Sequence, residues 1–207
     1  MFVTFEGIDG SGKSTQAALF WKWLVEEKKR DALLTREPGG WPGGNVLREI
    51  VISGKLKHDW SEAYLFMLDR AEHVASVIQP AIDSGRDIVC ERYHDSTLAY
   101  QIWGRGLPLE IFDELAKLSA FPVPDLTVLF DISPEWALKR AKSRGDLDSF
   151  ENEGVSFMTK IREGYLALSK RDPERWLVIE CAEKKSTEIF EELIASVLSI
   201  GGLFCDQ

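Results

Sequence analysis

Nine consecutive residues, Gly7-Ile8-Asp9-Gly10-Ser11-Gly12-Lys13-Ser14-Thr15, have the spacing G-x-x-x-x-G-K-S. Glycines at 7, 10 and 12 permit positive φ. Successive backbone N–H groups then turn onto one concave face, which holds a polyphosphate together with the positive end of a following helix. Lys13 is placed to bridge β- and γ-phosphates, and the Ser14 hydroxyl to ligate Mg²⁺.

Charge recurs at other points where a ligand could gather it. Arg36-Glu37 is followed by Pro38-Gly39-Gly40, which forbids a strand from continuing and leaves the pair at its carboxyl end. Glu91-Arg92 closes a second apolar run; an acid there suits a water-mediated contact to Mg²⁺ and the arginine suits a phosphate. Phe66 and Arg70 are four residues apart on a helical pattern, so an aromatic ring and a guanidinium share one face and could stack on and hydrogen-bond a planar base. His94 reads as a lone surface histidine. Arg140, Lys142 and Arg144 precede Gly145 and a mixed acidic run, a candidate lid at about 140–152 that folds over transferring phosphates.

These residues need a scaffold that sets them along one edge. Phe2–Phe5, 31–35, 86–91, 126–132 and 176–180 read as strands, rich in β-branched or long apolar residues. Between them lie helical patterns. The one after Thr15 puts Ala17, Phe20, Trp21, Leu24 and Val25 on one face, and others cover about 46–52, 60–84, 96–101, 107–119, 133–144, 155–170 and 189–198. Pro80 is expected to bend or tighten the long helix near its end. Strands alternating with helices give a three-layer α/β/α sandwich with a five-stranded parallel sheet, whose carboxyl edge binds ligands. Residues 63–68, Ala-Tyr-Leu-Phe-Met-Leu, are apolar all round, so a ligand or a second chain must cover the extra face.

Composition narrows the partners. The 207 residues fit one domain, 44% hydrophobic and 29% charged. A net charge of −9 argues against a nucleic-acid partner, and no apolar run is long enough to span a membrane. An anionic substrate must therefore be met by local arginines. Cys90, Cys181 and Cys205 are widely spaced and read as free thiols in a reducing cytoplasm. The first strand begins at Phe2, which leaves no room for a leader peptide.

A phosphate-binding loop alone does not choose between a kinase, an ATP-dependent assembly module and a switch. Arginines at 36, 70, 92, 105, 140 and 144 outnumber what one nucleoside triphosphate needs, which points to a second anionic ligand and so to a kinase. No N-K-x-D segment marks a guanine switch.

Four linked motifs then carry a resemblance: Phe5 to Thr15; Thr35-Arg36-Glu37-Pro38-Gly39-Gly40; Glu91-Arg92-Tyr93 with Ser96-Thr97-Leu98-Ala99-Tyr100-Gln101; and Pro124-Asp125-Leu126-Thr127. In order and spacing, over essentially the whole chain, they resemble the bacterial type of thymidylate kinase, with a P-loop kinase fold. The resemblance implies transfer of the γ-phosphoryl of ATP to dTMP, with Mg²⁺ and a homodimer through the helix at about 60–84. It implies that residues 7–15 hold ATP, that Asp9 accepts from the sugar 3′-hydroxyl, and that Arg92 binds the acceptor phosphate. Arg36 and Glu37 would lie near the transfer zone. Phe66 would stack on thymine and Arg70 donate to a base carbonyl, with Ser96, Thr97 and Gln101 in the same motif and Thr97 at the base's polar edge. Tyr100 would crowd C2′ against a ribose. Ser14 and Glu91 would serve the metal, and Arg140 and Arg144 the phosphates from the lid. Glu91 stands where the family usually has aspartate. The alternatives are a P-loop kinase for another nucleoside monophosphate or a deoxynucleoside.

Overall fold

The computed structural model describes residues 1–142 and 153–200. Five strands, β1 (Phe2–Glu6), β2 (Ala32–Arg36), β3 (Asp87–Glu91), β4 (Leu126–Asp131) and β5 (Trp176–Glu180), form one parallel sheet in the order β2-β3-β1-β4-β5. All five residues of β1 are buried, as befits a central parallel strand covered on both faces. Registers pair Arg36 with Glu91 and Phe5 with Glu91, so the charged ends of β2 and β3 lie beside the exit of β1.

The helices are α1 (Lys13–Glu26), α2 (Gly44–Ile52), α3 (Asp59–His73), α4 (Gln79–Asp83), α5 (His94–Thr97), α6 (Leu109–Leu118), α7 (Pro134–Lys142), α8 (Val155–Arg171) and α9 (Ser186–Ser199). On α1 the buried stripe is Ala17, Phe20 and Leu24 with Trp23; Trp21 is half-buried and donates its Nε1–H to the Ala32 carbonyl at 2.9 Å. Trp23 stacks on Phe20, and Phe20 meets Phe5 of the sheet, so this helix and β1 share one aromatic core.

Two helices are wider than the sequence foretells. Between α3 and α4, residues Val74–Ile78 form a π-helical turn in which Gln79 N–H reaches back five residues to Val74. It sits just ahead of Pro80, which has no N–H to offer and cannot extend a regular α ladder. A second π-helical run, Leu98–Gly104, continues α5, and Arg105 N–H bonds the Tyr100 carbonyl at 3.0 Å. Tyr100 and Gln101 lie in that run rather than in the regular helix expected over 96–101.

His94 departs from the surface position expected of it. It is half-buried at the start of α5, its Nδ1 has no hydrogen-bond partner among the described residues, and burial pulls its pKa down to about 4, so it is neutral near pH 7. Cys90 and Cys181 are buried free thiols. Among the described residues no helix is long and apolar enough to cross a membrane.

Candidate active site

The loop between β1 and α1 has the backbone its glycines require, with φ of +142° at Gly7, +86° at Gly10 and +94° at Gly12. At Gly10 there is a second reason for glycine: a Cβ there would stand 2.5 Å from the Ala137 carbonyl oxygen of α7. Lys13 is buried at the first turn of α1, and its ammonium lies 3.1 Å from Asp9 Oδ1. Ser14 and Thr15 face solvent, and the buried Ser11 Oγ has no hydrogen-bond partner among the described residues.

Beside this loop a pocket of about 620 Å³, open to solvent, is lined by Asp9, Arg36, Glu37, Phe66, Arg92, Ser96, Thr97, Tyr100 and Gln101 among others. Arg92 enters it from a left-handed backbone turn, φ +64°. Its Nη2 donates to Asp9 Oδ1 at 2.7 Å and to Tyr100 Oη at 3.0 Å, and the Tyr100 hydroxyl donates to Asp9 Oδ2 at 3.0 Å. Burial alone would raise the Asp9 carboxyl, but the Arg92 guanidinium and Lys13 ammonium reverse that and hold it well below the usual carboxylate range. Asp9 thus joins the loop lysine to the pocket arginine.

One wall of the pocket is backed by a buried ion pair. Arg70 is 1% exposed. It donates from Nε to Glu37 Oε2 at 2.9 Å, from Nη1 to Thr97 Oγ1 at 2.9 Å, and from Nη2 to the Tyr93 carbonyl at 2.9 Å. Among the described residues its remaining Nη1 hydrogen meets the Met67 sulfur, at 3.9 Å. Arg70 therefore stands behind Thr97 rather than lining the cavity. Glu37 likewise is not a free group: Oε1 meets His73 Nδ1 at 3.0 Å and Oε2 meets Arg70. Because Thr97 Oγ1 accepts from Arg70, its own proton is left to donate. Gln101 donates its Nε2–H₂ to Glu62 at 2.8 Å; a carboxylate only accepts, so the amide oxygen, which has no partner, faces elsewhere as an acceptor.

Several arginines do other work than expected. Arg105 pairs with Glu62 at 3.2 Å and Glu153 at 2.9 Å. Arg140 stands beside the loop, donating to the Ser11 carbonyl at 3.5 Å, and is also tied to the carbonyls of Cys181 at 2.7 Å and Lys184 at 3.3 Å, where the chain leaves β5. Arg144 and most of the expected lid lie outside the described residues. Arg36 fits its expected place, exposed at the pocket rim.

Sequence reasoning missed Arg48, which lines the pocket from α2 and donates to the Pro38 carbonyl at 3.2 Å. Its signal was the shared face with Val51 and Ile52, three and four residues on, which line the same pocket. It also missed a cleft on the far side of the loop lined by Ser11, Gly12, Thr15, Gln16, Arg140, Lys184, Ser186 and Ile189.

For a metal, the Ser14 hydroxyl donates to Glu91 Oε1 at 2.6 Å. These are hard oxygen donors side by side at the loop, suited to Mg²⁺. Among the described residues no group of three His, Cys, Asp or Glu side chains could hold a metal unaided, so phosphate and water oxygens would complete the shell.

Glu6, at the end of β1, is fully buried; desolvation, with Asp95 nearby, lifts its pKa to about 7 from 4.5. Its contribution to stability is therefore fully present below pH 4.5 and lost as pH rises through about 7. In melting curves taken across that interval, Glu6→Gln should flatten the decline in Tm; an unchanged slope would mean that another group causes it.

A family model described as thymidylate kinase matches residues 5–194. Thymidylate kinase of Oleidesulfovibrio alaskensis is 41% identical, over 97% of this chain and 100% of the relative. That of Solidesulfovibrio magneticus is 46% identical, over 88% and 91%. Among solved structures, thymidylate kinase from Ehrlichia chaffeensis superposes with a TM-score of 0.79 at 30% identity, covering 96% of this chain and 98% of that one. With a phosphate-binding loop beside an arginine-lined pocket and this similarity along nearly its full length, the chain belongs to the thymidylate kinase family.

Proposed function

We infer that the pocket between Phe66 and Arg92 takes dTMP and that residues 7–15 hold the ATP phosphates. The enzyme transfers the γ-phosphoryl of ATP to dTMP, giving dTDP and ADP. One observation carries the site assignment: Asp9, Arg92 and Tyr100 form a closed hydrogen-bonded triangle that joins the Lys13 loop directly to the pocket.

In this reading thymine lies against the Phe66 ring. Thr97 donates to a base carbonyl, Gln101 Oε1 accepts from the base N–H, and Arg70 acts from behind, its spare hydrogen toward the same edge. Glu37 is a positioning residue that holds Arg70. Arg92, Arg36 and Arg48 surround the acceptor phosphate, with Ser96 steadying Arg92 at 3.1 Å. The base end of ATP occupies the cleft between Gln16 and Lys184, and Arg140 keeps that cleft's rim in place.

Transfer needs no covalent intermediate and no strong general base, because the acceptor phosphate is already ionised near neutral pH. Lys13 and the arginines neutralise charge growing on the bridging oxygens while the two nucleotides are held in line. Mg²⁺ would be held by Ser14 and Glu91 and would add charge neutralisation at the phosphates when bound.

Tyr100→Ala is the test of the sugar site. The ring is buried against the pocket, so removing it should narrow the preference for dTMP over its ribose analogue by about tenfold in kcat/KM, the scale of one steric contact in a fitted pocket. An unchanged ratio would reject that placement of the sugar.

We also propose a homodimer through α3, with the chain acting as one domain in the cytoplasm. Tyr64 is 62% and Leu68 48% exposed, and Ala71 and Ala75 continue the same outer stripe. Unpaired Cys90 and Cys181 suit a reducing compartment. Light scattering should give twice the chain mass of 23.4 kDa, and Leu68→Glu should halve it; a parent protein that runs as a monomer would overturn the proposal.

A further inference from the structure

Glu6 is fully buried directly before the phosphate-binding loop, yet the transfer scheme gives it no part. A buried carboxylate is costly unless it is well hydrogen-bonded. Its Oε1 accepts the Tyr93 backbone N–H at 2.8 Å. Its Oε2 accepts the Ser96 hydroxyl at 2.6 Å and the Tyr165 hydroxyl at 2.9 Å, two oxygens that are themselves 2.8 Å apart.

Each hydroxyl has a single proton. With both protons directed at Glu6, Ser96 Oγ and Tyr165 Oη can offer only lone pairs to their next neighbour. That neighbour is Arg92 Nη1, 3.1 Å from Ser96 and 3.2 Å from Tyr165. Its two hydrogens meet two acceptors, while Nη2 is occupied by Asp9 and Tyr100. The guanidinium is thereby fixed on both sides. Its backbone is fixed as well, because Glu6 holds the N–H of Tyr93, the residue immediately after the left-handed turn.

We propose that Glu6 is a positioning residue for acceptor binding. By taking both hydroxyl protons it turns Ser96 and Tyr165 into a pair of acceptors that aim Arg92 at the dTMP phosphate. The inference rests on the reading that Arg92 binds that phosphate.

Glu6→Gln tests it at about pH 8, where the parent carboxyl is ionised. The amide can still accept from Tyr93 N–H, but it places N–H₂ where Oε2 was. One hydroxyl can then donate to the other, 2.8 Å away, but the remaining proton has only Arg92 Nη1 to face, so donor meets donor there. KM for dTMP should rise about tenfold, the scale of one charge-assisted hydrogen bond, while kcat and KM for ATP stay within about twofold. Tyr165→Phe keeps the buried ring and removes one acceptor, and should raise KM for dTMP about threefold. The rise in the double variant should fall short of the product of the single ones, since both act through Arg92.

If Glu6→Gln does not fold, Tyr165→Phe decides alone. A KM for dTMP within about twofold of the parent's in the folded variants, or kcat falling in step with KM, would overturn the relay. Arg92→Ala separates the two ideas. Should it leave KM for dTMP unchanged, the phosphate assignment fails; should it raise KM while the other variants do not, only the relay fails.

Discussion

Lys13→Ala lowers kcat by about a thousandfold, the scale of losing a preorganised cation on developing phosphate charge, while dTMP affinity stays within about threefold. The split follows from geometry. Lys13 is 4% exposed and, among the described residues, its Nζ pairs with Asp9 at 3.1 Å. Removing it leaves Asp9 held by Arg92 at 2.7 Å and by the Tyr100 hydroxyl at 3.0 Å, so the acceptor pocket keeps its shape. What disappears is a fixed positive charge that costs no reorganisation at the moment of transfer. Single-turnover kinetics with calorimetric dTMP titration measures both halves. Turnover at the parent's rate would remove Lys13 from the chemistry, and a lost dTMP site would show that it organises the pocket as well.

Arg70→Leu lowers stability by about 3–5 kcal/mol, a fall in Tm on the order of 10 °C for a chain of this length. The guanidinium is buried, and it satisfies Glu37, the Thr97 hydroxyl and the Tyr93 carbonyl together. Without it Glu37 keeps His73 as its side-chain partner among the described residues, and a buried carboxylate without its guanidinium is among the most damaging single changes available. Replacing Glu37 by leucine in the same chain should recover much of the loss, because a buried ion pair and a well-packed apolar pair differ little in net stability. Base selection would not return, since Thr97 would still lack the donor that orients its hydroxyl. A Tm within about 2 °C of the parent's for the single variant would mean that the pair is not the clamp described.

Much of this was legible in the sequence because spacing and residue type fix it. The loop at 7–15 needs positive φ at its glycines, and the apolar runs at Phe2–Phe5 and 126–132 read as buried strands, which they are to within one residue at their ends. Arg36 and Glu91 could be placed at one sheet edge from their position after apolar runs, and the register puts them side by side. What could not be read is which partner each charge finds. Arg105 and Arg140 look like phosphate ligands by type, but their partners, Glu62 and the Cys181 carbonyl, lie about forty residues away along the chain and are brought near only by the fold. The π-helical turn at Leu98–Gly104 shifts which backbone groups pair without changing any side chain, so no local pattern announces it. Glu6 gave no signal of its own, because its partner Tyr165 lies 159 residues onward.

The meeting of Gly10 with the Ala137 carbonyl has a mechanical consequence. Main chain rests on main chain there, with no compressible side chain between, so the anion cradle and the helix that leads toward residue 143 share a rigid bearing. An outward shift of the cradle must carry α7 with it. Even one methyl group at Gly10 would act as a wedge, prying the two apart whether or not the cradle itself could tolerate the extra carbon.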